Sequence, residues 1–190
     1  MKRSTGRRPK NSNLAMDWLL EEEQPAVRYL ALTELIGNAE VDDEVKAAKE
    51  RIPKTGWAAE ILGSQQAGGW WVSDENLYQP KYLSTNWMLL ILSDLGLTKA
   101  DPRIAKACDL WIKRFVAEDG GFGIGGGKRG HLCTTGNMAR ALVRFGYADH
   151  PAVRDAFEWL VKTRDKNGGW SCFGSGRNLD SWEGMSAFAV

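Results

Sequence analysis

Apolar residues recur at helical spacing in two stretches: Ile104, Ala107, Cys108, Trp111, Ile112 and Phe115 in one, and Val153, Ala156, Phe157, Leu160 and Val161 in the next. Steps of three and four residues put these side chains on one face of an α-helix, so each stretch predicts an amphipathic helix facing a core. Both begin with proline in the first turn, at Asp101-Pro102-Arg103-Ile104 and His150-Pro151-Ala152-Val153, 49 residues apart. Proline fits there because its missing N–H has no helical partner and its φ is already helical. Three other apolar runs stop at glycine: Tyr29 to Ile36 before Gly37, Trp87 to Leu95 before Gly96, and Met138 to Phe145 before Gly146. The stops lie 59 and 50 residues apart, and left-handed glycine predicts a helix C-cap at each. Strands are not indicated.

A third mark repeats with the same rhythm. Gly-Gly followed by an aromatic residue occurs at Gly68-Gly69-Trp70, Gly120-Gly121-Phe122 and Gly168-Gly169-Trp170, at intervals of 52 and 48 residues. A period near 50 residues predicts stacked supersecondary units. Each unit reads as a capped helix, a turn, a second helix and a Gly-Gly turn, with Trp70, Phe122 or Trp170 folding back as an apolar plug between helix pairs. The first unit is longer: Asp42-Asp43-Glu44-Val45 opens its helix, Pro53 interrupts it, and Trp57 to Leu62 forms another stretch. The segment Asp180 to Val190 begins a helix like those at Trp87 and Met138 and stops on Phe188-Ala189-Val190, so the expectation is a fragment, or a chain that a partner completes.

Composition narrows the function classes. An apolar fraction of 43% excludes a mostly disordered chain. Five basic residues fall within the first ten, leaving 20 basic against 24 acidic groups and a formal charge of −4 for the rest, so no nucleic-acid partner is expected. Residues 1–13 read as a basic disordered tail and 14–190 as one helical-repeat domain. Leu14 to Leu20 is too short for a signal peptide, and the longest apolar run, Trp87 to Leu92, is too short to span a membrane. Three widely spaced cysteines, 108, 133 and 172, suit reduced thiols in a cytoplasm.

The hairpins carrying Trp159-Leu-Val-Lys-Thr-Arg-Asp-Lys-Asn-Gly168-Gly169-Trp170, Trp111-Ile-Lys-Arg-Phe-Val-Ala-Glu-Asp-Gly120-Gly121-Phe122 and Gln65-Gln-Ala-Gly68-Gly69-Trp70 resemble the terpenoid cyclases and protein prenyltransferase β subunits. This is the squalene-cyclase-like superfamily, and the likeness covers roughly residues 24 to 190. It implies an all-α fold, an incomplete α/α toroid of repeated helix hairpins, with an apolar cavity at one end of the inner helices. Its catalytic motifs are missing. The Asp-x-Asp-Asp acid of squalene-hopene cyclases has no match, since Val41-Asp42-Asp43-Glu44 is a helix start. The prenyltransferase zinc pair Asp-x-Cys and the Gly-Cys-Gly-Glu-Gln thioester of complement-like rings are absent too.

Candidate chemistry gathers in the loops before the inner helices. His131, Cys133, Cys172 and Asp180 converge if the units stack, and an imidazole, two thiolates and a carboxylate suit tetrahedral zinc. Buried cysteines with no metal are the alternative. Lys128 and Arg129, in the run Gly123-Ile-Gly-Gly-Gly-Lys-Arg-Gly130, offer an anion contact if the loop is not simply flexible; the run is not a P-loop. Asp180 and Glu183 are candidate catalytic acids, or alternatively a capping box at a helix start. Tyr82, Trp87 and Trp182 are candidates to line a ligand mouth with their π faces, with core packing as the other role for the tryptophans. The leading expectation is a terpenoid-cyclase- or prenyltransferase-like domain binding an apolar isoprenoid-type ligand. Its rival is a non-catalytic helical-repeat scaffold for a protein or peptide, and self-association completing the ring is a further expectation.

Overall fold

The computed structural model describes residues 14–166 and 168–170, which form two compact units, one within residues 1–59 and one within 60–190. The described residues are all-helical, with paired helix hairpins and no sheet; Val116 and Phe122 form an isolated bridge. No described helix is long and apolar enough to cross a membrane.

The first unit holds α1 (Leu14–Leu19), α2 (Pro25–Leu30), which continues as a π-helical turn over Ala31–Ile36, and α3 (Asp43–Arg51). Gly37, at φ 83°, ends the π-helical turn as a left-handed C-cap, and α2 packs on α3. Pro53 falls in the break before α4 (Gly56–Gly63), as the pattern predicts.

The second unit contains α5 (Thr85–Asp94), α6 (Pro102–Phe115), α7 (Leu132–Phe145) and α8 (Pro151–Lys162). Helices α5 and α7 pack side by side, α6 packs on α5, and α8 packs on α7. The starts of α6 and α8 are built alike. Asp101 accepts the Arg103 amide N–H, and Nδ1 of His150 accepts that of Ala152. The Arg103 side chain also holds the Asp101 carboxyl below its usual range. All six expected face residues of α6 are buried. On α8 the buried face is Ala152, Val153, Ala156, Trp159 and Leu160, while Val161 points to solvent, since the stripe follows steps of three and four through Trp159.

The glycine turns depart from the sequence alignment in one place. The left-handed residues are Gly69, Gly120 and Gly168, at φ 98°, 91° and 85°. Their N–H groups donate to Gln66, Ala117 and Asp165 O, and those three residues' N–H groups donate in turn to the carbonyls of Trp70, Gly121 and Gly169. The plugs are therefore Trp71, Phe122 and Trp170, so the first is Trp71 and not Trp70. Trp71 is buried, and its indole N–H donates to Ile61 O as that of Trp170 does to Leu160 O, both at 2.7 Å. One glycine of each pair needs the left-handed conformation, and it is this residue that sets the register.

Two threonines bind the plugs to the following helix. Oγ1 of Thr85 accepts the Trp71 amide N–H at 3.0 Å, and Oγ1 of Thr135 accepts that of Phe122 at 2.9 Å. Both threonines are fully buried. Replacing Thr135 by Val, which leaves the Phe122 N–H unpaired, is expected to cost about 1–3 kcal/mol in urea unfolding. Thr134→Val is the matched control, because the Thr134 hydroxyl is already buried without a hydrogen bond; that change is expected to be neutral or stabilising. Equal losses from the two variants would show that the Thr135 bond is not what holds the plug.

Candidate functional site

The segment between Trp71 and Ser84 leads into α5 and holds an unusual amount of open apolar surface. Val72, Tyr82 and Leu83 are 57%, 69% and 60% exposed. Val72 and Tyr82 sit at φ 67° and 68°, a left-handed conformation that costs energy in residues carrying a β-carbon, most of all in β-branched valine. The cost is borne at two positions that face water. Tyr82 is nonetheless held in place: its ring lies 5.0 Å from that of Trp87, tilted by 51°, and the Tyr78 ring lies 5.4 Å from the same indole. The Trp87 indole N–H donates to Tyr78 O at 3.0 Å, which closes the loop onto α5.

Below these rings a groove of about 30 Å³ runs between α5 and α7, lined by Tyr78, Trp87, Leu90, Cys133, Thr134 and Asn137. It has room for little more than a water molecule, so a larger apolar ligand would lie over it against the rings. At the far ends of α5 and α7, Asp94 pairs with Arg140 at 2.8 Å and Arg144 at 2.5 Å, locking the two helices together.

A larger cavity, about 430 Å³, opens where residues 119–131 pass α8, and is lined by Asp119, Ile124, Arg129, His131, Trp159 and Thr163. Oδ1 of Asp119 accepts the amide N–H groups of Gly121 and Gly130 at 3.1 and 2.8 Å and so closes this loop on itself. His131 Nδ1 is buried and has no hydrogen bond. Gly121 and Gly130 lie flat on the Trp159 indole, which is almost wholly buried.

The expected site residues therefore separate into two places. Trp87 and Cys133 line the groove, with the Tyr82 ring tilted against Trp87. Arg129 and His131 line the larger cavity, and Lys128 is exposed in the same loop. Cys172, Asp180, Trp182 and Glu183 lie outside the described residues, as do the tail 1–13 and the expected terminal helix. No group of three or more His, Cys, Asp or Glu residues suited to a metal occurs among the described residues. Burial pushes the Cys108 thiol far up, with the neighbouring Asp109 carboxylate adding to the shift, so it is no nucleophile.

Sequence reasoning missed Tyr78, Thr134 and Asn137 in the groove and Asp119, Ile124, Trp159 and Thr163 in the cavity. A signal for the pinning threonines was present, since Thr85 and Thr135 follow their plugs by 14 and 13 residues.

The chain is similar to a solved structure described as the type II terpene cyclase MstE from Scytonema, in its apo form. The two are 23% identical with a TM-score of 0.46, over 62% of this chain and 35% of that one. The chain thus spans about a third of that cyclase's length. The match is a weak and partial structural likeness. No family model and no curated protein matches the chain.

Proposed function

We propose that the chain is a terpenoid-cyclase- or prenyltransferase-like domain that binds an apolar, isoprenoid-type ligand against the Tyr78–Tyr82–Trp87 rings. The observation that carries this reading is Tyr82, an aromatic side chain 69% exposed yet in tilted ring contact with Trp87 and held by left-handed backbone. Open apolar surface kept rigid at a conformational cost is what a ligand platform needs, because burying it on binding releases water without first ordering the side chains. The π faces also suit a developing carbocation, if the ligand reacts. Candidate acids for such chemistry are Asp180 and Glu183.

Native mass spectrometry of the full chain with farnesol tests the reading. A single farnesol adduct is expected, and Tyr82→Ala together with Trp87→Ala is expected to weaken it by about tenfold or more. No adduct, or one indifferent to both substitutions, would remove the proposal and favour a scaffold that binds protein or peptide. Zinc held by His131, Cys133, Cys172 and Asp180 is a separate proposal, resting on ligand chemistry. It predicts a zinc mass in the same spectrum that Cys133→Ala abolishes; an unchanged metal content in that variant would end it.

A further inference from the structure

The 430 Å³ cavity has an origin in the repeat itself. Aligning the capped starts of α6 and α8, Pro102 with Pro151, places Arg114 at the position of Thr163 and Lys106 at that of Asp155. The environments agree with this register: Lys106 lies over Gly69 as Asp155 lies over Gly120. On α6, the Arg114 guanidinium reaches across to donate to Asp74 O at 2.6 Å. On α8, the short Thr163 side chain turns back to donate to Trp159 O at 2.8 Å. A long arm in one repeat is absent from the next, and the cavity bordered by Thr163 opens there.

The groups around it are charged and uncommitted. Asp119 and Arg129, both exposed, line the same cavity and form no salt bridge with each other. Asp119 spends Oδ1 on two backbone amides, which fixes the carboxylate and leaves Oδ2 open. Ile124 and the edge of Trp159 supply the apolar wall. A simple anion would be drawn to Arg129 and repelled by Asp119, and a simple cation the reverse. A molecule carrying both charges matches both groups.

We infer that this cavity binds a small zwitterion of the α-amino-acid class with an apolar side chain. The ammonium donates to Asp119 Oδ2, the carboxylate accepts from the Arg129 guanidinium, and the side chain lies against Ile124 and Trp159. The cavity volume suits a ligand of that size. The inference is independent of the isoprenoid reading, which concerns different residues.

Isothermal titration calorimetry of the full chain with L-phenylalanine tests it, beside 2-phenylethylamine, which lacks the carboxylate, and 3-phenylpropionate, which lacks the ammonium. Phenylalanine is expected to bind, with each analogue weaker by about tenfold or more. Arg129→Ala is expected to weaken phenylalanine and leave phenylethylamine unchanged. Thr163→Arg, which installs the side chain that α6 carries at the same place, is expected to abolish phenylalanine binding while thermal unfolding and the farnesol adduct stay as in the unaltered chain. No heat with phenylalanine, an analogue that binds as well, or undiminished binding in a folded Thr163→Arg protein would each overturn the inference.

Discussion

Trp111→Ala is expected to be the most damaging single substitution in the second unit, lowering the unfolding free energy by about 3–5 kcal/mol from the lost burial and cavity alone. Trp111 is fully buried, stacked on Phe115 at 4.4 Å and 16°, and meets the edge of Phe122 at 5.0 Å and 84°. It therefore joins α6 to the glycine-turn plug that follows. Its indole N–H also donates to Asn86 Oδ1 at 3.2 Å, and Asn86 is 2% exposed. Truncation leaves that amide oxygen buried and unbonded, adding about 1–3 kcal/mol. Against a typical total of about 5–15 kcal/mol, the variant is expected to be largely unfolded at modest urea concentrations. Trp111→Phe keeps one aromatic ring in place and loses the N–H with the rest of the indole, so it is expected to cost less than Trp111→Ala. Urea unfolding followed by circular dichroism reads both variants; a Trp111→Ala loss below about 1.5 kcal/mol would mean that the plug does not join the repeats in this way.

Gly121→Ala is the second large effect, and it comes from adding a single methyl group. A β-carbon at Gly121 would lie 2.8 Å from Gly130 Cα and 2.9 Å from Trp159 Cδ2 and Cε2. Neither neighbour can yield cheaply: one is backbone in a loop closed by Asp119, and the other is an indole only 6% exposed. The expected loss is about 1–3 kcal/mol from overpacking. Because Trp159 borders the larger cavity, weaker phenylalanine binding is expected with it. Gly63→Ala is the matched control, since Gly63 is exposed in α4 and a β-carbon there meets nothing within 4 Å. That change is expected to be neutral or to stabilise by about 0.5–1 kcal/mol. Equal losses at both positions would show that the Gly121–Trp159 contact is not tight in solution.

Much of the fold was legible along the chain because its signals are local. Pro102 and Pro151 open α6 and α8, and Gly37 and Gly146 cap the preceding helical segments in the left-handed conformation. The buried face of α6 follows the apolar spacing residue for residue. The candidate site was less legible. Tyr82 and Trp87 are marked by residue type, and their rings do meet, but Tyr78 carries no signal of its own and reaches the indole only because the loop closes through its carbonyl. His131 and Cys133 are two residues apart in sequence yet line different cavities, because positions two apart at a helix start lie on opposite sides of the helix.

The sequence by itself determined an all-helical chain of hairpins repeating near 50 residues, since period, proline starts and glycine stops act within single helices. Tertiary structure decided which residue of Trp70 and Trp71 is the plug, that Thr85 and Thr135 pin the plugs they meet, and that Thr163 leaves a cavity where Arg114 reaches across its own loop. These depend on which atoms meet between one repeat and the next. A difference of one residue in a turn, or of one side-chain length on a helix, leaves the periodic pattern unchanged while redirecting a ring or opening a cavity of about 430 Å³.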